Sequence, residues 1–336
     1  MLSWINELCD RIVKGGLMPA YDFLVDGRSR YFWLYCASGL LIAAVAWHKT
    51  RQAKSFRETL LDHEVWASQS AFNDYIIIVI TPIMRLTILS WAAINWEKVR
   101  DFVVTTLHAF GVSGTVNDST AVLLGFLLTV TLFVVDDLLR WTVHYLFHRI
   151  PELWEFHKVH HSAEVLNFAT AERHHPVEVL ATATVLTVAY GVVNGIFIGL
   201  FGDKVTITTI AGANAFLFLF NIAGGALRHS PFWISFGPTV EKWVISPAMH
   251  QIHHSDKPEH FDRNMGGSLA VWDRMFGTLH IPRGREIEGF GIGPETRDFR
   301  SMEVIMIRPF VSAWKLLKAR FQPAHEPVKP ASPAHV

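Results

Sequence analysis

Apolar residues along this chain fall into five long runs: Tyr31 to Trp47, Phe72 to Ile94, Thr120 to Leu139, Val177 to Phe201 and Val205 to Ile222. Each approaches the roughly 20 residues that a helix rising about 1.5 Å per residue needs to cross a bilayer. Pro82 and Arg85 interrupt the second run, which predicts a kinked or partly lipid-shielded helix. The third has no proline and no break beyond Gly125, so its helical pattern continues through "DDLLRWTVHYLFHR". One helix would therefore carry Asp136, Asp137, His144 and His148 out past the hydrocarbon. Only Gly202 to Lys204 separate the fourth and fifth runs, which predicts an antiparallel hairpin. Whatever precedes residue 177 and follows residue 222 then lies on one side of the membrane.

Charge sharpens this topology. With five spans, the side holding residues 48–71, 140–176 and 223–336 carries 22 lysines and arginines against 7 on the other. The positive-inside tendency puts that richer side in the cytosol and the N-terminus outside. If one weak run is instead re-entrant or interfacial, the N-terminus moves to the cytosol and the 140–176 side stays where it is. The expected organisation is an amphipathic segment at 1–30, without signal-peptide features, and three spans within 31–139. A histidine-rich stretch at 140–176, the hairpin at 177–222 and a cytosolic cap at 223–308 follow. Residues 309–336 form a basic amphipathic helix, "FVSAWKLLKARF", and a Pro-rich tail expected to be disordered.

Composition agrees with a membrane protein: 50% hydrophobic, 18% charged, 24 Phe and 12 Trp. The predicted class is an all-α integral membrane protein of about four to five transmembrane helices with a cytosolic helical cap. A formal net charge of zero, without zinc-finger spacing or aromatic-basic repeats, excludes a nucleic-acid partner. Cys9 and Cys36 are the only cysteines, so any bound metal must be held by nitrogen and oxygen.

Nitrogen is plentiful. Of 18 histidines, five lie between His144 and Ser162, in His144-x3-His148 and His157-x2-His160-His161, and three more form His250-x2-His253-His254. Residues three and four apart share a helix face, so each group can converge on one metal. Eight imidazoles exceed the four to six ligands of one first-row ion, which points to two ions. An all-nitrogen set suits iron, copper or zinc, and softness does not separate them. A structural zinc site is a closed tetrahedron and needs no such number. The scattered His48, His63, His108, His280, His325 and His335 read as solvated or structural.

Taken with their neighbours, these boxes resemble the fatty-acid hydroxylase and sterol desaturase superfamily of membrane non-haem di-iron oxygenases. The resemblance runs from about Val134 to His280. It includes the Asp-led entry "DDLLRWTVHYLFHR", the box "LWEFHKVHHSAEVLNFATAERHHPVE" with Arg173, His175, Pro176 and Glu178, the box "ISPAMHQIHHS" and the segment "DRNMGGSLAVWDRMFGT". It implies metal ligation by His144, His148, His157, His160, His161, His250, His253 and His254. His229 and His175 are the positions for further ligands, with His174 as the alternative to His175 and His260 in a structural role. A ligating imidazole normally donates its other N–H to an acceptor. Asp137, seven residues before His144 and so on the same helix face, is a candidate to orient the ligands, as are Asn167, Glu178 and Asp273.

The resemblance further implies two Fe ions, O2 as co-substrate and a lipid drawn from the bilayer into a groove between the spans. No dinucleotide fold, haem domain or iron–sulfur cysteines are evident, so a separate ferredoxin, cytochrome or reductase is expected to supply electrons. Hydroxylation is the expected reaction; a desaturase using the same site is the alternative within the class, and a membrane metal transporter or sensor is the rival outside it. A transporter would place ligands near the bilayer midplane on broken helices, whereas these lie at span ends and beyond. His253→Ala is expected to lose both bound metal and all lipid oxidation; full retention of lipid-oxidising activity would sink the di-iron assignment.

Overall fold

The computed structural model describes residues 24–50, 55–84 and 95–321. Most of the N-terminal amphipathic segment, the end of the second apolar run and the Pro-rich tail lie outside them. The chain is mostly helical. Its principal helices are α1 (Trp33–Thr50), α2 (Gln69–Met84), α3 (Trp96–Ala109), α4 (Asp118–Arg149), α5 (Pro151–His161), α6 (Pro176–Phe201), α7 (Ala215–Ile222), α8 (Pro247–His253), α9 (Val271–Phe276) and α10 (Met302–Phe321). The one sheet among the described residues is a two-stranded hairpin, β1 (Thr209–Ile210) with β2 (Ala213–Asn214).

Helix α4 is a single 32-residue rod, about 48 Å long at 1.5 Å per residue. Asn117 starts it by accepting the Thr120 N–H on its side chain at 2.9 Å. Its lower turns expose Val122, Leu123, Phe126 and Leu127, while Asp137, Trp141 and Phe147 higher up are buried. The rod ends because Pro151 follows Ile150: proline lacks the N–H that a continuing helix needs, and it serves instead as the first residue of α5. Pro176 and Pro247 open α6 and α8 in the same position. The histidine-bearing α5 and α8 thus each begin at a proline-set corner.

Among the described residues, two helices, α4 and α6, are long and apolar enough to cross a membrane. The first expected span becomes α1, closed by His48 and Lys49 in its last turn. The second is α2 as far as Met84. The fifth run, Val205 to Ile222, is not one helix. It begins as extended chain, turns at Ala211 and Gly212, both with positive φ, and becomes helical only after Asn214 caps α7. The β-branched "VTITTI" favours extended chain over helix. The expected return still takes place: Thr208 N–H bonds Thr129 Oγ1 at 2.7 Å, Asn214 Nδ2 donates to the Thr129 carbonyl, and the chain then reaches His229 beside the other histidines. Gly125 admits this passage, since a Cβ there would lie 2.4 Å from the Thr206 carbonyl oxygen.

Residues 95–119, expected as an outer connecting segment, include α3, which lies along α6. The glycines of "GVVNGIFIG" form the groove: Gly191, Gly195 and Gly199 face Val99, Val103 and Leu107 in register. Spacing by four on one helix lets the two backbones approach closely. A Cβ at Gly195 would sit 2.6 Å from that of Val103 and 2.9 Å from the Arg100 carbonyl oxygen. Gly195→Ala should therefore force the helices apart at a cost of about 1–3 kcal/mol. Thermal unfolding in detergent should show a lower midpoint than wild type, with Gly284→Ala, where an added Cβ meets nothing within 4 Å, as the neutral comparison. Equal midpoints for both variants would overturn the packing argument.

Candidate metal centre

Four segments bring imidazoles to one place: the top of α4, the last two turns of α5, the turn Gly225–His229 and α8. Nine rings form two groups. His144, His148, His157, His161 and His253 make the first, and His160, His229, His250 and His254 the second; within each, one ring nitrogen per residue lies within 4.8 Å of all the others. The eight histidines of the boxes and His229 are thus brought together. His175 is elsewhere. As the residue before Pro176 it caps α6, its Nδ1 accepting the Val177 N–H at 3.2 Å while Nε2 bonds the Met306 carbonyl. His174 is the neighbour that faces the centre, 3.0 Å from Glu178 Oε1 and stacked on His160.

The acceptors behind the rings decide where the lone pairs point. His144 Nδ1 is 2.7 Å from the Met265 carbonyl, His253 Nδ1 2.7 Å from that of Arg263 and His160 Nδ1 3.2 Å from that of Arg173. His148 Nδ1 lies 3.2 Å from Asp262 Oδ1, and His157 Nδ1 3.0 Å from Glu178 Oε1, though off the hydrogen-bonding direction. A carbonyl or carboxylate there requires the proton on Nδ1, which leaves Nε2 bare in a neutral ring. The bare nitrogens of His144 and His160 then face further rings: His144 Nε2 is 3.0 Å from His157 Nε2, and His160 Nε2 is 3.3 Å from His229 Nε2. His229 Nε2 is also 3.0 Å from His250 Nε2 and 3.2 Å from His254 Nε2. His148, His161 and His253 Nε2 are buried with no hydrogen-bond partner. Where both nitrogens of a pair are bare, the opposed lone pairs repel unless a cation lies between them. Two imidazole nitrogens bound at about 2.1 Å to one ion would be about 3.0 Å apart in an octahedron and about 3.4 Å in a tetrahedron, so the residues fit a metal in each group.

The carboxylates expected to orient the ligands divide by what they touch. Glu178 contacts His157 and His174 directly. Asp137 and Asp273 touch no imidazole. Asp137 accepts the Ser268 and Leu269 N–H groups and Trp272 Nε1–H, and Asp273 accepts the Met265 and Gly266 N–H groups, Trp141 Nε1–H and the Thr278 hydroxyl. Together they clamp the 264–273 loop onto α4 and so hold the Met265 carbonyl against His144. Asn167 caps the turn Phe168–Glu172 and donates to the Val65 carbonyl, away from the histidines. Arg173 does more than its motif suggested. Fully buried, it pairs with Asp74 at 2.8 Å and donates to the carbonyls of Val159, Ser70 and Phe299, which ties α2, α5 and the segment before α10 together behind His160.

A cavity of about 440 Å³ opens onto His144, His157, His160, His229 and His250 and extends between α4 and α6 along Val143, Val179, Ala183 and Leu186. Arg30, Arg140 and Arg228 also line it, none of which the spacing argument singled out. Burial, then the like charges of Arg30 and Arg140, push the Arg228 guanidinium down to about 9, partly offset by Asp137.

Comparison with known proteins decides the class. Residues 129–278 match the family model described as fatty acid hydroxylase. Over those residues, less than half of its length, the chain is similar to the fatty acid hydroxylase family. Fatty acid hydroxylases are membrane-associated and use iron. Relatives include the alkylglycerol monooxygenase of Danio rerio, 27% identical over 44% of this chain and 29% of that protein, and the alkylglycerol monooxygenase of Caenorhabditis elegans, 24% identical over 54% and 32%. The ornithine lipid hydroxylase OlsE of Rhizobium tropici is 27% identical over 44% of this chain and 40% of its own length. The chain thus spans about a third of the length of the curated relatives it matches, and no solved structure matches it.

Burial first, then neighbouring rings, lowers the proton affinity of His160, His161, His229, His250, His253 and His254 well below the usual histidine value. The unfolded chain therefore binds more protons than the folded one below pH 6.5. Stability present above that pH is lost as pH falls toward the folded values, by about 1.4 kcal/mol per ring per pH unit at most. The unfolding midpoint of the purified protein in detergent should drop steadily from pH 6.5 to 5; a flat or rising midpoint would contradict buried neutral imidazoles.

Proposed function

We propose that this chain is a multi-pass membrane oxygenase that hydroxylates an unactivated C–H bond of a bilayer lipid, using O2 and two iron ions. The convergence of Nε2 atoms carries this reading, because acceptors at Nδ1 of His144, His148, His160 and His253 leave the Nε2 lone pairs of those four rings turned into the two groups. His144, His148, His157, His161 and His253 would hold one ion and His160, His229, His250 and His254 the other. Bound there, the metals supply the oxidising power for oxygen insertion. An all-imidazole set suits iron, copper or zinc alike, and iron is the choice because the matched family uses it.

The chain's own part is placement and exclusion. The carbonyls of Met265, Arg263 and Arg173 keep His144, His253 and His160 protonated on Nδ1, so the Nε2 atoms stay available. Glu178 Oε1, 3.0 Å from His157 Nδ1, turns its negative charge toward that ring. Val143, Val179, Ala183 and Leu186 give the cavity an apolar flank between the two apolar helices, where a lipid can enter sideways and water is disfavoured. The excess of lysine and arginine on the histidine side puts the centre on the cytosolic face. Electrons come from a separate carrier, a ferredoxin, cytochrome or reductase, docking on that face.

Comparative lipidomics of cells with and without the gene should reveal a lipid gaining one oxygen, and metal analysis of the purified protein two irons per chain. A lipid that instead loses two hydrogens would replace hydroxylation by desaturation, and a protein purified with zinc alone that oxidises no lipid would overturn the oxygenase reading.

A further inference from the structure

The cavity over the metal centre carries a cationic lining that the histidines do not need. Arg140 is paired with Asp136 at 2.7 Å, and Arg30, half exposed, stands 3.5 Å from Glu172. Arg228 donates to the carbonyls of Gly225 and Gly267 and lies over the ring of Phe220. Among the described residues no carboxylate comes within ion-pair distance of it. Carbonyls accept its protons and leave its charge in place. The acids on the same wall are Glu172 and Glu178, and Glu178 is already shared by His157 and His174. Metal ions held by neutral imidazoles would add further positive charge to this space. Positive charge gathered in a partly buried cavity is costly unless an anion completes it.

A second cavity, of about 280 Å³, lies behind. Arg30, Ala171, Arg228 and His229 line both, while the rest of its wall is largely apolar, including Tyr35, Leu40 and Ala43 of α1 with Leu227 and Phe232. The two cavities therefore meet at the guanidiniums, with the histidines on one side and an apolar chamber on the other. Were a lipid to present its tail tip to the metals, apolar walls would surround them and the cations would stand at a distant mouth. Here the guanidiniums instead line the histidine-side cavity itself, beside its apolar flank of Val143, Val179, Ala183 and Leu186.

Building on the hydroxylase reading above, we propose that the substrate is a lipid whose headgroup carries an anionic oxygen group, phosphate or carboxylate. That group seats on Arg30 and Arg228, the chain occupies the apolar chamber along α1, and the carbon oxidised lies within a few bonds of the headgroup. The planar guanidinium fork suits both anions, since each offers two oxygens at matching spacing.

The test compares binding of dodecyl phosphate, laurate and neutral 1-O-dodecylglycerol to the purified protein in a non-ionic detergent, with metal content measured alongside. Both anionic amphiphiles, or the one whose chemistry the site takes, should bind at least tenfold tighter than the neutral one. Arg30→Gln should abolish that preference with metal content unchanged, and Arg30→Lys should keep part of it. Arg228→Gln should act likewise; because Arg228 also bonds two carbonyls, the half-exposed Arg30 carries the test if that variant fails to fold. The tighter-binding anion tells phosphate from carboxylate. Equal affinity for the neutral lipid, a preference that survives Arg30→Gln, or a product hydroxylated at the chain end by tandem mass spectrometry would overturn the proposal. A protein that keeps the anion preference and oxidises no lipid would sink the hydroxylase reading and leave the anion site standing, whereas oxidation without the preference would sink the anion site alone.

Discussion

Nine imidazoles with ring centres from 4.4 Å apart, as in His229 and His250, cannot share one buried space while charged. Burial favours the neutral form of most of them, and His144, His148, His160 and His253, whose Nδ1 atoms meet acceptors, turn their lone pairs inward. That requirement governs the architecture around the centre. The second ring nitrogens need acceptors, and backbone carbonyls at Met265, Arg263 and Arg173 supply them from loops that belong to no helix. Loops are soft, so something must stiffen them. Asp137 and Asp273 do so for the 264–273 segment by accepting N–H groups of the loop, and Asn264, at φ 54°, bonds the Met249 and His280 carbonyls through its side chain. These two carboxylates act on His144 at one remove, through the Met265 carbonyl.

Arg173 plays the corresponding part for His160. Its guanidinium and the carboxylate of Asp74 are both removed from water, and such a pair is held only where further hydrogen bonds satisfy both partners. Here they are: Thr170 donates to Asp74, and Arg173 donates to Ser162 Oγ and three carbonyls. Removal of one partner leaves a buried charge and costs about 3–5 kcal/mol. The pair also explains why α2 begins deep in the cap: Ser70, Asn73 and Asp74 are buried polar residues because their partners are cap backbone and cap arginine.

What was legible in the sequence was local. Histidines three and four apart on α4, α5 and α8 announce a common face, and the unbroken pattern through Asp137 announces one helix that carries the first box upward. What was not legible depends on partners far along the chain or on backbone conformation. Asp74 and Arg173 are 99 residues apart, and nothing near either names the other. His175 has the right type and place for a ligand, yet a residue before proline is held extended, and its ring turned to cap the helix. The expected fifth span satisfied hydropathy and failed on shape, because apolar content alone does not separate helix from extended chain when β-branched residues dominate.

That failure has a consequence for the centre. A chain leaving the far end of α6 must climb back along α4 to place His229, the residue shared by three Nε2 contacts of the second group. Irregular backbone packed against apolar helices is tolerated only where protein satisfies its polar groups. Thr129 meets that need twice, once through its hydroxyl and once through its carbonyl, and Gly27 donates its N–H to the Ala211 carbonyl. Gly125 supplies the room. The second group of ligands is therefore completed by a segment whose path rests on a threonine and a glycine well below it on α4, and side chains with no metal to touch help decide where His229 stands.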